Sequence, residues 1–252
     1  MAVFSLNLLL LDSKVKTVSL TKDDPRAVHL RTVLGVQTGD EIDLAVKNGP
    51  KGKGRVSLLS DQRIDLSLRW ADEHPCDLFP IHLIVGFARP KTCRKILEQA
   101  SALGVEKMTF FQAEKGEPSY AKSRLWKTNE WKEKIDHGVE QAFASFVPVC
   151  AFQPNLDRAL GDAQSGEAIK LALDNYEAAQ ALSIEGIDGK LPILLALGPE
   201  RGWSADERLL LRSQGFELRH LGDRVLRLET AVVASLGLLL SGYWKDSGCE
   251  SL

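Results

Sequence analysis

The sequence predicts an α/β protein in two parts: a small β-rich barrel with one helix, then a larger domain built on a mostly parallel sheet. Three observations predict it. Between residues 39 and 70 the runs GDEIDLAV, GRVSLLS and RIDLSLRW are short and separated by turn-forming clusters, as the strands of a compact β unit are. ADEHPCDLFP (71–80) carries two prolines and several acids, the composition of a linker. Beyond it, near-continuous apolar runs alternate with amphipathic stretches, the order that gives a parallel sheet covered by helices. The expected division is 1–72 and 80–252, with the linker at about 71–80.

The elements follow in order. MAVFSLNLLLLD has no basic residue before its apolar run and no small-residue cleavage site after it, so it reads as a first β-strand and not as a targeting segment. DDPRAVHLRTVLG (23–35) predicts a short helix, capped by Asp24 with Pro25 at its first position. Three strands come next. Between the first two, NGPKGKGR reads as a loop carrying Lys51, Lys53 and Arg55 on flexible backbone, either a solvated hairpin tip or an RNA contact. No Lys-Ser/Thr pair follows its glycines, so it is not a P-loop. After the linker, IHLIVGFA (81–88) has the unbroken apolar character of a strand buried on both faces. RKILEQASALG (94–104) is an amphipathic helix stopped by Gly104. VEKMTFF (105–111) is the next strand, and a long helical stretch covers roughly 122–146. AIKLALD (168–174), LPILLALG (191–198) and FELRHLG (216–222) are further strands. AVVASLGLLLSGYW (231–244) falls short of the ~20 apolar residues of a membrane span and reads as a buried helix.

Composition narrows the function classes. The 252 residues are 44% hydrophobic, and 32 basic residues against 34 acidic ones leave a net charge of −2. That balance argues against bulk, sequence-blind nucleic-acid binding while leaving room for a local basic face. Cys76, Cys93, Cys150 and Cys249 have no metal-ligand spacing and read as reduced thiols of a cytoplasmic protein. The sequence contains no GxGxxG after a strand, GxSxG, HExxH or CxxC, and His29, His74, His82, His137 and His220 are isolated. Dinucleotide, serine-nucleophile and metal chemistry are therefore not expected, and no metal site is assigned.

Ligands of open α/β sheets bind beyond the carboxyl ends of the strands. Three such ends are chemically unusual here: LALDNYE (171–177), LALGPERGWSADE (195–207) and HLGDRVLRLETAVVASLG (220–237). Gly198, Gly202 and Gly222 let a ligand approach the backbone closely. Ser204 and Glu207 have the spacing of a capping box, and Trp203 is expected to pack beneath the turn.

GPERGWSADE followed by LGDRVLRLETA resembles the paired signatures of SPOUT-superfamily methyltransferases, and most closely the RsmE type, which methylates N3 of a uridine in 16S rRNA. HLRTVLGVQTGD (29–40), ALGVEKMTFF (102–111) and VEQAFASFVP (139–148) match further segments of that family in the right order. The resemblance implies a PUA-like β-barrel, an α/β SPOUT domain with a deep trefoil knot, S-adenosyl-L-methionine bound in the knot, a homodimer, and the small ribosomal subunit as partner, with no membrane association. Leu197, Gly198, Pro199, Gly202, Leu221, Gly222, Val225, Leu226 and Thr230 are the cofactor-binding residues it implies. The weakly acidic N3 proton must leave before the nitrogen attacks well. A carboxylate suits its removal and a guanidinium suits the negative charge growing on the uracil carbonyls. Arg227, Glu229 and Glu200 are the catalytic candidates. Lys51, Lys53, Arg55, Arg89, Lys91, Arg94 and Arg201 are the RNA-binding ones. The sequence departs from the family pattern at Gly35, Ala102, Ala144 and Phe146; the first and the last two stand where arginines are usual. This keeps open a SPOUT enzyme acting on another RNA or on ribose 2′-oxygen, and a non-catalytic RNA-binding or ribosome-assembly protein.

Overall fold

The computed structural model describes residues 8–72, 75–163, 166–185, 187 and 189–244; His74 and Cys249 lie outside them. The chain forms two compact units. One is the chain up to Asp77 together with Asp136–Val147, and the other is Leu78–Ile135 together with the chain from Pro148 onward.

The first unit is a five-stranded sheet with one helix: β1 (Leu9–Leu11), β2 (Thr17–Thr21), α1 (Pro25–Thr32), β3 (Glu41–Val46), β4 (Lys51–Leu59) and β5 (Arg63–Trp70). Its strand order is β1-β3-β4-β5-β2, with β1 parallel to β3 and the other pairs antiparallel. Leu9 and Leu11 from one edge strand share an apolar core with Leu20 from the other. A sheet whose two edges feed one core has to curl. Among the described residues no ladder joins β1 to β2, and what they form is a curled sheet. The Asp24 carboxylate accepts from the Arg26 amide and Pro25 opens α1, as the sequence predicts.

Lys51, Lys53 and Arg55 do not sit on a loop. They lie within β4, and the turn precedes them at Lys47–Pro50. Glycine is depleted in strands, which is why the stretch reads as loop, but packing requires it here. A Cβ at Gly52 would lie 2.3 Å from the Arg69 carbonyl oxygen, and one at Gly54 would lie 2.7 Å from Leu44 Cδ2. Strand alternation then puts Lys51, Lys53 and Arg55 on one face and the glycines on the other. Residues 136–147, which read as part of one long helix of the second domain, pack elsewhere. Val139 packs with Leu8, Leu10 and Ala45, and Ala144 packs against that cluster, so this segment belongs to the first unit.

The second unit contains β6 (Phe79–Gly86), α2 (Pro90–Ala102), β7 (Val105–Phe111), α3 (Pro118–Ala121), α4 (Arg124–Lys127), the start of α5 (Glu130–Gln141), β8 (Val149–Gln153), α6 (Leu156–Gly161), β9 (Ile169–Leu173), β10 (Gln180–Ala181), β11 (Ile193–Leu197), α7 (Ala205–Ser213), β12 (Glu217–His220) and α8 (Leu228–Leu240). All seven strands run parallel in the order β10-β12-β9-β11-β6-β7-β8. The predicted 122–146 helix is broken at Ser123 and Thr128 and ends before Phe143, whose φ of 53° is left-handed. Three strands carry no clear signal. β2 alternates around a single buried residue, Leu20, β8 is an edge strand with no fully buried position, and β10 is two exposed residues. β11 is buried throughout. Because β12, β9 and β11 are successive neighbours, their carboxyl ends at His220, Leu173 and Leu197 lie side by side. Among the described residues no helix is long and apolar enough to cross a membrane.

Candidate active site

The loops leaving β9, β11 and β12 converge on one cleft of about 470 Å³. Leu173, Asp174 and Tyr176 line it from the first loop, Leu197–Glu200, Gly202 and Trp203 from the second, and Leu221–Asp223, Val225 and Leu226 from the third. The 198–203 turn is held from below. Trp203 is 1% exposed, lies flat against Phe111 with ring centroids 6.0 Å apart, and donates from Nε1 to the Leu173 carbonyl at 2.8 Å. Ser204 and Glu207 close the capping box of α7, and Glu207 also accepts from the Glu114 amide at 3.0 Å. Pro199 rests on the end of β6, where a Cβ at Gly86 would come within 2.9 Å of its nitrogen.

The glycines keep the cleft open. Gly202 has φ +68° and Gly222 φ +88°, the left-handed region that other residues enter at a cost of about 1–2 kcal/mol. A Cβ at Gly198 would meet the Gly202 carbonyl carbon and Trp203 at 3.2 Å, so a side chain there would press on the turn. The result is an apolar-walled slot edged by main-chain groups. That chemistry fits the adenine and ribose of S-adenosyl-L-methionine, which needs flat apolar contact and main-chain hydrogen bonding together.

A second cleft, of about 510 Å³, adjoins the first. It is lined by Arg89, Lys91, Thr92, Lys95, Glu200, Leu226, Arg227, Leu228 and Glu229; Glu200, Leu226 and Leu228 line both. Two helices start here. Arg89 is the N-cap of α2 and Arg227 the N-cap of α8, and neither makes a side-chain cap bond. Arginine is a poor N-cap where Ser, Thr, Asp or Asn serve best, so helix stability does not account for either one. The positive ends of two helices, next to Arg89, Lys91, Lys95 and Arg227, make a site for anionic oxygens. Glu200 is anchored by accepting from the Arg89 amide at 3.0 Å. Glu229 is paired with Lys95 at 3.0 Å. Burial opposes its charge, but its own amide, Lys95 and Arg227 outweigh that and hold its carboxyl below the usual glutamate value.

A family model described as RNA methyltransferase domain matches residues 74–240. Ribosomal RNA small subunit methyltransferase E of Treponema pallidum is 32% identical over 231 residues, covering 88% of this chain and 85% of the relative. This chain belongs to the ribosomal RNA small subunit methyltransferase E family. The Borreliella burgdorferi relative named ribosomal RNA small subunit methyltransferase E 1 is 25% identical over 91% of this chain and 95% of its own. A crystal structure of the Neisseria gonorrhoeae methyltransferase E, bound to S-adenosyl methionine, has the same fold, with a TM-score of 0.76 at 24% identity over 96% of this chain and 99% of that one.

In this member of the methyltransferase E family, the structure brings eight of the nine residues expected to hold the cofactor to the first cleft: Leu197, Gly198, Pro199, Gly202, Leu221, Gly222, Val225 and Leu226. Thr230 is exposed on α8 and lines neither cleft; Ala231 takes the lining position. Glu200, Arg227, Glu229, Arg89 and Lys91 gather at the second cleft. Arg94 is turned away into a pair with Glu130, and Arg201 is exposed outside both clefts. On β4, Lys53 pairs with Asp43 at 2.7 Å and Lys51 stands 3.8 Å from Asp77. Sequence reasoning did not single out Gly86, Tyr176 or Arg208. Gly86 ends the run IHLIVG, and a glycine closing a buried strand signals close backbone approach. Tyr176 lies in LALDNYE, one of the three unusual strand ends, but which of its residues faces a ligand depends on contacts across the sheet, as does the role of Arg208.

Proposed function

We propose that the protein transfers a methyl group from S-adenosyl-L-methionine to N3 of a uridine in 16S rRNA, acting in the cytoplasm on the small ribosomal subunit. The observation that carries this is the junction of the two clefts: a glycine-edged apolar slot meets a cationic site at two helix N-termini, and Glu200 lies in the wall of both. S-adenosyl-L-methionine, when bound in the slot, supplies an electrophilic methyl group. Leu197, Leu221, Val225 and Leu226 wall the adenine side, and the Gly198–Gly202 turn presents main-chain groups.

In the adjoining cleft, Arg227 stabilises negative charge on the uracil carbonyls as N3 loses its proton. Glu200, held on the Arg89 amide, is the carboxylate placed for proton removal. Glu229 has a lowered pKa, which makes it a weaker base, and its role is to orient Lys95. Arg89 and Lys91 receive RNA phosphate, and the outward face of β4 with Lys51, Lys53 and Arg55 gives the curled, PUA-like unit an RNA contact of its own. The reading includes a trefoil-knotted path through the 198–228 region, on the resemblance of its two motifs to the SPOUT signatures. It also includes a homodimer, supported by Val233 and Leu238, two large apolar side chains exposed on α8.

The test is methylation of 30S subunits lacking the modification, with the product nucleoside identified by mass spectrometry. Appearance of N3-methyluridine is expected. A methyl group on ribose 2′-oxygen or on another base refutes the substrate atom, and no transfer from bound S-adenosyl-L-methionine refutes the activity.

A further inference from the structure

We infer that Tyr176 forms the aromatic wall of the nucleoside site and that the buried Asp174–Arg208 pair is the device that holds it there; this rests on the cofactor reading above. Tyr176 lines the first cleft and yet is 80% exposed. Val225, on the loop after β12, lines the same cleft and is 85% exposed. Two large apolar side chains from different loops thus face one slot without covering each other, and such surface marks a binding site more readily than a solvated turn. A flat heteroaromatic group between them buries both and gains an offset stack on the tyrosine.

The loop that carries Tyr176 is not free to swing away. Asp174 Oδ1 accepts from the amides of Tyr176 at 2.6 Å and Glu177 at 2.7 Å. Its Oδ2 accepts from Arg208 Nε at 2.6 Å. The Asp174 side chain is 1% exposed and that of Arg208 is 9% exposed, so the pair forms a buried link from α7 to the β9 loop. The Arg208 guanidinium carbon also stands 5.6 Å from the Tyr176 ring centroid, within cation–π reach. Beside the ring, a Cβ at position 202 would lie 3.5 Å from Tyr176 Cε2. Arg208 therefore acts twice, locking the acid that fixes the tyrosine backbone and lying against the ring. It is a positioning residue, whereas Tyr176 touches the ligand.

The ligand class is an adenine nucleoside, and the discriminating probe is adenosine, which lacks the methionine end. Isothermal calorimetry measures S-adenosyl-L-methionine, S-adenosylhomocysteine and adenosine binding to wild type, Tyr176→Ala, Tyr176→Phe, Arg208→Ala and Arg208→Lys. Tyr176→Ala is expected to raise Kd about tenfold for all three ligands, the scale of one lost base–aromatic stack, and Tyr176→Phe to stay within about twofold of wild type. Arg208→Ala is expected to weaken binding and Arg208→Lys to restore part of it. In spectra of protein with labelled tyrosine, one of the three tyrosine signals, missing in Tyr176→Phe, should shift when adenosine is added. Tyr176→Ala leaves the buried pair in place, so its result holds even if Arg208→Ala fails to fold. Wild-type affinity in Tyr176→Ala, or a loss confined to ligands with the methionine end, overturns this inference and leaves the cofactor reading intact. Wild type that binds none of the three ligands overturns both.

Discussion

The two adjoining clefts are made in opposite ways. The first is shaped by backbone and buried groups: glycines in left-handed turns, Trp203 clamped between Phe111 and the Leu173 carbonyl, and a sealed Asp174–Arg208 pair. The second is shaped by long charged side chains at two helix starts, with Lys95 45% exposed against a Glu229 carboxylate that is 12% exposed. A slot that must discriminate a small molecule needs rigid walls, because misplacement by an ångström forfeits contact. A surface that meets RNA gains more from reach and charge, and tolerates movement. Substitutions in the first cleft should therefore act on folding and ligand affinity together, and those in the second chiefly on turnover, with only small effects on the fold.

The largest expected effect is Trp203→Ala. Removing a buried indole costs about 3–5 kcal/mol of stability, and it also loosens the cofactor turn. Thermal unfolding and calorimetry should both register the change, and a stable variant with unchanged affinity would break the contrast between the clefts. Next comes Arg227→Ala, which should lower kcat by about 10²–10³, as loss of one charge-stabilising donor does. Its S-adenosyl-L-methionine affinity should stay at the wild-type value; turnover at the wild-type rate would remove Arg227 from the chemistry. Gly198→Ala is expected to cost ~1–3 kcal/mol through overpacking against Gly202 and Trp203. That loss should appear as both a lower melting temperature and a raised cofactor Kd.

The smallest effect is acidic. The folded-state pKa of Glu229 is lowered below its ordinary 4.5. Its pairing with Lys95 thus stabilises the fold fully above that value, and the contribution is lost as pH falls through the lowered one. Urea midpoints followed downward from pH 6 should fall less steeply in Glu229→Gln than in wild type. Parallel curves would show that the pair contributes nothing to the fold.

The two clefts also differed in how far they could be read from one dimension. The first was almost fully legible, because glycine spacing, the strand ends and the paired GPERGW and LGDRVLRLETA motifs are local features. Eight of the nine residues expected to hold the cofactor line it, and Thr230 does not. The capping box at Ser204 and Glu207 was legible for the same reason, since a cap is set within four residues. For Gly86, Tyr176 and Arg208 the partners were not legible, even where a strand-ending glycine or the LALDNYE end marks the place. Gly86 matters only because Pro199, more than a hundred positions away, lies on it, and Arg208 matters only because β9 runs beside β11.

The basic row of β4 shows the converse error. Glycines at 52 and 54 argue locally for a loop, but Leu44 and the backbone of β5 press against them, and tertiary contact overrides propensity. Residues 136–147 were misassigned for a related reason: helical periodicity says which face is apolar but not which core receives it. By itself, then, the sequence determined the strands that run apolar from end to end, the caps, the conformations only glycine adopts, and the family to which these motifs belong. The tertiary structure alone decided which strand ends become neighbours, which charges pair and which stay open, and where one unit borrows a segment from the other. Local signals report the conformational preference of a few residues, whereas a cleft is a meeting of segments far apart in the chain, and only packing brings them together.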